Sequence, residues 1–417
     1  MRNMLRDLRH KPWGVPGAFL TYGQAYPKSA PWIGAVATFK GPKPTPEEII
    51  SELGGKAQDL SVLRAELVET ERGTQRWEDS DPDLSRLVLD GPPEPLTQEK
   101  QIEKINQDPP SVGGHMWRLW ILKSEHEGDE SEFGLYFQVH HALLDGLSMS
   151  QLGAEVFGPE RPKTFPGYRS SLPETLLGAV LTVLDQIGIP PRGALPVNGS
   201  AVSTEITHIP LETMLQAKQS PEASLNDVAL AALTVTLQEC GVRGNVGVAV
   251  PVNVRKISEL RKLGNYISTA TVRVDCDGSD AVTHLARYKD ARRKGRMYAK
   301  RGAAMAARGA LHIIASVSGR YFLDGAFASR SSSLMLSNVP PVRQELSVMG
   351  CPAKWVAALN FVPRTHQMAL TLSGYQDMVT VTLQRRIESG GDDRFKDMLE
   401  IWKGQVLELA AGGRKTS

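Results

Sequence analysis

Phe133, Leu135, Phe137 and Val139 alternate with Gly134, Tyr136, Gln138 and His140, the two-residue period of a strand. The run ends in His140-His141-Ala142-Leu143-Leu144-Asp145-Gly146, an HHxxxDG motif. Ser148-Met149-Ser150-Gln151 follows as a candidate capping box, and Leu152 and Phe157 give the next helix an apolar face. Residues 141–147 are therefore predicted as a turn between a strand end and a helix start. Such a position holds a side chain rigidly while leaving it accessible, and the element pattern requires a sheet with helices packed on it.

The rest of the chain reads as a mixed α/β sequence too long, at 417 residues, for one ordinary core. Residues 32–39 read as a buried strand. Thr45-Pro46-Glu47-Glu48 opens a helix with Thr45 as N-cap and Glu48 completing a capping box. The polar, Pro-rich stretch 80–114 is expected to be largely loop. Strands at 116–123 and 133–140 flank an acidic hairpin tip at 125–132. Residues 158–204, rich in Pro, Gly and Ser around one short apolar helix, read as a crossover between two lobes. The expected organisation is an N-terminal lobe at 1–160, a crossover at 161–204 and a C-terminal lobe at 205–417. The latter begins with a capped helix after Ser224, continues through strands near 246–254 and 267–274, and has a long Ala- and Arg-rich helical stretch at 281–318. Strands near 332–338, 355–361, 368–373 and 379–383 and a last helix at 393–411 complete it.

Charge and composition narrow the function. A net charge of +2 argues against general nucleic-acid binding, so phosphate or membrane recognition would have to come from a local patch. Cys240, Cys276 and Cys351 are scattered and form no CxxC pair, which makes a reducing, cytoplasmic setting the expectation. The most apolar segment, 176–189, is short and contains Asp185, so at most peripheral contact with a membrane is expected. Adjacent histidines on an extended chain point to opposite faces, so His140 and His141 are poorly placed to chelate one ion, and no metal site is expected.

An imidazole titrates near neutrality, and a positioned histidine can take the proton from an alcohol or amine as it attacks a thioester. His141 is the candidate base. His140 and Asp145 are expected to shape the turn, with Asp145 held by an arginine, for which Arg255 is the candidate. Gly146 would permit close backbone approach. A buried structural histidine is the competing reading for both His140 and His141.

With the motif in this setting, the chain resembles the CoA-dependent acyltransferase superfamily of chloramphenicol acetyltransferase and peptide-synthetase condensation domains. Within it, the chain is most similar to the bacterial wax ester synthase/diacylglycerol acyltransferase family. Ala18-Phe19-Leu20 and 31–36 are similar to its opening region, and Leu225-Asn226-Asp227 to its Asn-Asp helix. Pro251-Val252-Asn253-Val254-Arg255 with Gly264-Asn265, Ser337-Asn338-Val339-Pro340 and Leu372-Ser373-Gly374-Tyr375 are similar to its later signatures. The resemblance implies two chloramphenicol-acetyltransferase-like lobes, each a mixed sheet flanked by helices, with a substrate tunnel between them and His141 at its midpoint. It departs from the family at 116–120, Met-Trp-Arg-Leu-Trp where Pro-Leu-Trp is usual, and at Pro341 where a glycine is usual.

Asn226, Ser337 and Asn338 are candidates to bind an oxyanion or substrate, against the alternative that they cap a helix or hold a turn. Arg287, Lys294, Arg301 and Arg308 recur every seventh residue and would line one helix side. They are candidates for CoA phosphates, an acyl carrier protein or an anionic membrane, against the alternative of a solvated face. The leading expectation is acyl transfer from a thioester, acyl-CoA first, to a hydroxyl of a long-chain alcohol or diacylglycerol, with no permanently bound cofactor. A tailoring acyltransferase acting on a polar scaffold, with a carrier-protein donor, is the second reading. A repurposed or ligand-binding relative is the third.

Overall fold

The computed structural model describes residues 14–71, 74–124, 131–159, 171–186, 195–197, 199–293, 296–329, 331–388 and 393–413. The chain begins with helix α1 (Val15–Ala25), followed by β1 (Trp32–Lys40) and α2 (Pro46–Asp59). In α2 the Thr45 hydroxyl accepts from the Glu48 amide while the Glu48 carboxylate accepts from the Thr45 amide, the reciprocal cap read from the sequence. A small sheet is built by β2 (Ala65–Glu69), β3 (Gln75–Asp79) and β5 (Gly114–His115), and β4 (Val88–Asp90) lies apart from it.

The stretch expected to be loop at 80–114 contains a ten-residue helix, α3 (Gln98–Gln107). Its buried Ile102 and Ile105 are only three residues apart in a polar sequence, too sparse a stripe to be legible against the prolines before it. Then β6 (Trp117–Leu122) and β7 (Glu132–His140) pair antiparallel, and α4 (Gly146–Phe157) follows. Residues 125–130 of the expected hairpin tip lie outside the described residues.

The second half carries α5 (Leu172–Gln186), β8 (Ala201–Pro210), the short α6 (Leu211–Gln216), α7 (Leu225–Glu239), β9 (Gly244–Asn253) and β10 (Ile267–Cys276). Helices α8 (Ala281–Arg293), α9 (Arg296–Ser318) and α10 (Arg320–Ala326) follow. They precede β11 (Leu334–Val342), β12 (Ser347–Val348), β13 (Cys351–Leu359), β14 (Met368–Tyr375), β15 (Met378–Ile387) and α11 (Met398–Gly413). The last helix thus starts five residues later than expected, because residues 394–397 form turns.

Two six-stranded mixed sheets organise these elements: β12-β13-β1-β7-β6-β4, and β10-β9-β11-β14-β15-β8. The fold is α/β with helices flanking each sheet, as the sequence led us to expect. A contiguous division of the chain does not describe the sheets, however. β12 and β13, from the expected C-terminal lobe, extend the first sheet, with Gly34 opposite Leu359 and Val36 opposite Ala357. β8 also begins at Ala201, inside the expected crossover, of which 161–170, 187–194 and 198 lie outside the described residues. An apolar strand can complete either sheet, and local sequence carries no record of which one it joins.

Helix α5 packs along α9 where Gly178 meets backbone. A Cβ there would come within 1.8 Å of the Ala299 carbonyl oxygen. Among the described residues, no helix is long and apolar enough to cross a membrane.

Candidate active site

β7 delivers His140 and His141 to its C-terminal end, and the turn that follows closes on Asp145, the N-cap of α4. The helix therefore starts earlier than the capping box expected at 148–151. The Asp145 carboxylate accepts from the Ser148 amide at 2.8 Å. Ser148 is buried and directed elsewhere: its hydroxyl donates to the Gly264 carbonyl and receives the Gly264 amide. Asp145 outcompetes it as a cap because its charge also satisfies a cation from the other lobe.

That cation is Arg255, just past β9. Its Nη1 and Nη2 meet the two Asp145 carboxylate oxygens at 2.7 and 3.0 Å, and Nη2 also donates to the Ser148 hydroxyl and the Gly264 carbonyl. The Tyr266 amide donates to the same carboxylate at 2.8 Å, and the guanidinium lies 4.6 Å from the Tyr266 ring centre. Asp145 and Arg255 are 2% and 1% exposed, so the pair is fully withdrawn from water yet every strong polar direction is used. Gly264 has φ +145°, and a Cβ on it would press on the Tyr266 ring at 2.9 Å, so the loop closes tightly only with glycine there.

The same loop supplies Asn265, which follows Gly264 in sequence and to which no local pattern assigns a role. Its side-chain amide donates to the His141 carbonyl at 2.6 Å and lies 3.3 Å from His141 Nδ1. His141 Nδ1 is 3.0 Å from the Leu144 carbonyl, an acceptor only, so that nitrogen carries the proton and Nε2 keeps a free lone pair. The ring stacks on Phe19 at 4.7 Å and meets Phe361 edge-on at 5.9 Å. Burial lowers the His141 pKa, against the opposing pull of the Asp145 charge and of the hydrogen bonds to the ring. The imidazole is thus neutral at pH 7.

His140 is placed differently. It packs edge-on against Trp32, its Nδ1 accepts from the Ala142 amide at 3.2 Å, and burial pushes its pKa down to about 3. It does not line the cavity that His141 faces.

That cavity holds about 430 Å³ between the two sheets. Its lining includes His141, Gly146, Asn253, Arg255, Arg301, Ser337 and Asn338. Gly146 lies where a Cβ would come 3.3 Å from Val339, so the start of α4 approaches β11 closely. Thr371, 2% exposed and opposite Ser337 on the neighbouring strand, also lines it; its hydroxyl has no partner among the described residues.

The remaining candidates separate. Asn226 does not line the cavity; it receives a hydrogen bond from Asn338 at 2.7 Å. The cap of α7 is Ser224, in a reciprocal box with Asp227. Of the four-residue cationic stripe, Arg287 pairs with Asp277 at 2.7 Å and Arg308 with Glu259 at 2.6 Å. Lys294 lies outside the described residues. Among the described residues of the stripe, Arg301 alone lines the cavity, its Nε donating to the Asn253 carbonyl at 2.7 Å.

Three comparisons place this arrangement among known proteins. Residues 263–389 match the family described as WS/DGAT C-terminal domain. A probable diacylglycerol O-acyltransferase of Mycobacterium tuberculosis is 23% identical over 299 residues, 61% of this chain. The match spans 64% of that relative's length. The wax ester synthase/diacylglycerol acyltransferase of Marinobacter aquaeolei VT8 superposes with a TM-score of 0.61 at 15% identity, over 92% of this chain and 94% of its own. The starter condensation domain of rhizomide synthetase, in a complex with C8-CoA, superposes at 0.64 and 14% identity over 98% and 96%. The resemblance read from the motifs therefore stands, and the fold is the one shared by wax ester synthases and condensation domains.

Proposed function

We propose that this chain, whose residues 263–389 form a WS/DGAT C-terminal domain, is an acyltransferase that moves an acyl group from a thioester, acyl-CoA first among donors, to a hydroxyl. The observation that carries the reading is His141. Its Nδ1 is tied to the Leu144 carbonyl, it is gripped between Phe19 and Phe361, and it lines a cavity between the lobes. In the reaction Nε2 takes the proton of the acceptor hydroxyl as its oxygen attacks the thioester carbonyl. The tetrahedral intermediate collapses by breaking the C–S bond, and the imidazolium returns the proton to the departing thiolate. No nucleophilic side chain is needed. Ser337, which lines the cavity, is a candidate to donate to the oxyanion.

An acceptor that is a long-chain alcohol or diacylglycerol agrees with the similarity to the Mycobacterium tuberculosis relative and with the apolar walls. A second reading is transfer from a carrier-protein thioester to a more polar scaffold; its polar acceptor is favoured by the Thr371 hydroxyl opposite Ser337, which has no partner among the described residues. Against that reading, two of the four cations a carrier would meet along the stripe, Arg287 and Arg308, are engaged in ion pairs with Asp277 and Glu259. Peripheral contact with lipid draws support from α5, where Leu172, Leu176, Val180 and Val183 form an exposed stripe at helical spacing.

The test is incubation of the purified protein with acyl-CoA and panels of alcohols, diacylglycerols and polar polyols, following thiol release and ester. We expect thiol and ester in equal amounts from wild type, and a loss of at least about a hundredfold in His141→Ala with its melting temperature retained. Undiminished transfer by that variant would sink the assignment of the base.

A further inference from the structure

We infer that the part of the cavity inside the N-terminal lobe receives an unbranched hydrocarbon chain, and that Gly153 sets how long a chain it accepts. The inference rests on the acyl-transfer reading and specifies one of its binding sites.

The cavity is lined unevenly. On the C-terminal side it meets Asn253, Arg255, Arg301, Ser337, Asn338 and Thr371. On the N-terminal side it runs between the first sheet and helices α2 and α4, with walls such as Leu53 and Ala57 from α2, Ala35 and Ala37 from β1, and Leu135 and Phe137 from β7. Beyond His141 and Asp145, the polar side chain those elements bring to the lining among the described residues is Ser150, and its hydroxyl is directed to the Gly146 and Pro340 carbonyls. A surface of that composition gains from methylene groups and from little else.

Helix α4 supplies the ruler. Gly146, Ser150, Gly153 and Phe157 all line the cavity, at spacings of four, three and four residues, which is one helix face. The face starts at the turn that holds His141, so Gly153 stands roughly 10 Å along the helix axis from the chemistry and Phe157 roughly 16 Å. A Cβ built on Gly153 would meet no atom within 4 Å. Glycine is a costly choice in a helix interior compared with alanine, and neither a close neighbour nor a positive φ requires it here. What its missing side chain provides is open width in the apolar arm.

The experiment measures kcat/KM of wild type, Gly153→Ala and Gly153→Leu against short, medium and long saturated acyl-CoAs with one fixed alcohol. It then repeats the measurement with an alcohol series and one fixed acyl-CoA. Affinity for the same acyl-CoAs and alcohols is measured in parallel by calorimetry, which needs no turnover. Excluding two methylenes removes about 1.6 kcal/mol of burial, or somewhat over tenfold. We expect Gly153→Leu to lose at least about tenfold on long chains while short ones stay within about twofold, and Gly153→Ala to move the same way by less. The series in which this happens identifies the occupant as the acyl or the alkyl chain. Equal loss at all lengths in both series, or no loss at any, would overturn the inference. So would a wild-type affinity that fails to rise with chain length for both ligands. Length-dependent binding that Gly153→Leu abolishes, in a protein that transfers nothing, would uphold the chain site and sink the acyltransferase reading. Should Gly153→Leu fail to fold, Gly153→Ala, which favours the helix, carries the comparison.

Discussion

Arg255 and Asp145 show how a single buried pair of side chains can brace the turn that follows His141. The carboxylate caps α4 through the Ser148 amide, anchors the Tyr266 amide and is bridged by two guanidinium nitrogens. Both groups are withdrawn from water, so removing one strands the other as an uncompensated charge. Arg255→Ala should therefore lower unfolding stability by about 3–5 kcal/mol, read from urea denaturation. Restoring charge balance with Arg255→Leu and Asp145→Leu together should recover part of that stability and none of the activity, because Leu144 and Asn265 would no longer be held against His141. Recovery of turnover in the double variant would show that the pair does not position the histidine. His141 itself carries a pH prediction. Burial depresses its pKa below the ordinary 6.5, so kcat/KM should be level above that pH and fall only below it as Nε2 gains a proton. A falling limb centred above 6.5 would contradict the assignment.

Helix caps are where local sequence and observed elements agree best, because a cap is decided within four residues. The Thr45–Glu48 box was legible, and the Ser224–Asp227 box closes the helix start that the sequence placed there. Ser224→Ala should cost about 1 kcal/mol, seen as a lower urea midpoint with an unchanged slope. The cap of α4 was misplaced by three residues for the opposite reason. Ser148 has the right local chemistry, but its hydroxyl is claimed by Gly264, 116 positions away. Helix α3 was missed because its buried positions are interrupted by charged ones, and only packing against the first sheet and β8 makes it pay to fold.

At the scale of the whole molecule, two buried histidines couple the fold to pH. Burial holds His140 and His366 at about 3 in the folded chain, against an unfolded value near 6.5. A depressed histidine binds fewer protons folded than unfolded, so its stability contribution is intact above 6.5 and is lost as pH falls through the window below. At pH 5 each should subtract about 2 kcal/mol, a figure set by the unfolded pKa once the folded value lies well below 5. Urea denaturation of wild type and His366→Gln at pH 7.5 and pH 5 tests this: the variant should lose less stability between the two. The position also explains the link between the halves, since the His366 carbonyl accepts from Arg386 Nε and Arg386 Nη2 lies 3.2 Å from the Ser29 hydroxyl ahead of β1.

The sequence by itself determined the strand–turn–helix that carries His141, the order of most strands and the family the chain resembles, because periodicity, caps and short motifs are local. Its reading of HHxxxDG expected His140 and Asp145 to shape the turn; in the structure His140 Nδ1 accepts from the Ala142 amide and Asp145 caps α4. Only the tertiary structure decided that β13 completes the first sheet, that Asn265 grips the histidine's backbone, and that Arg287, Arg301 and Arg308, the described cations of the α8–α9 stripe, have internal acceptors. Each of these is a contact between segments about fifty or more residues apart, or between a helix and a loop whose approach no local spacing encodes. The cavity follows the same logic. Gly153 is an ordinary helix-interior glycine in the sequence, and it gains a role only when the face it sits on is laid against the apolar interior of the lobe.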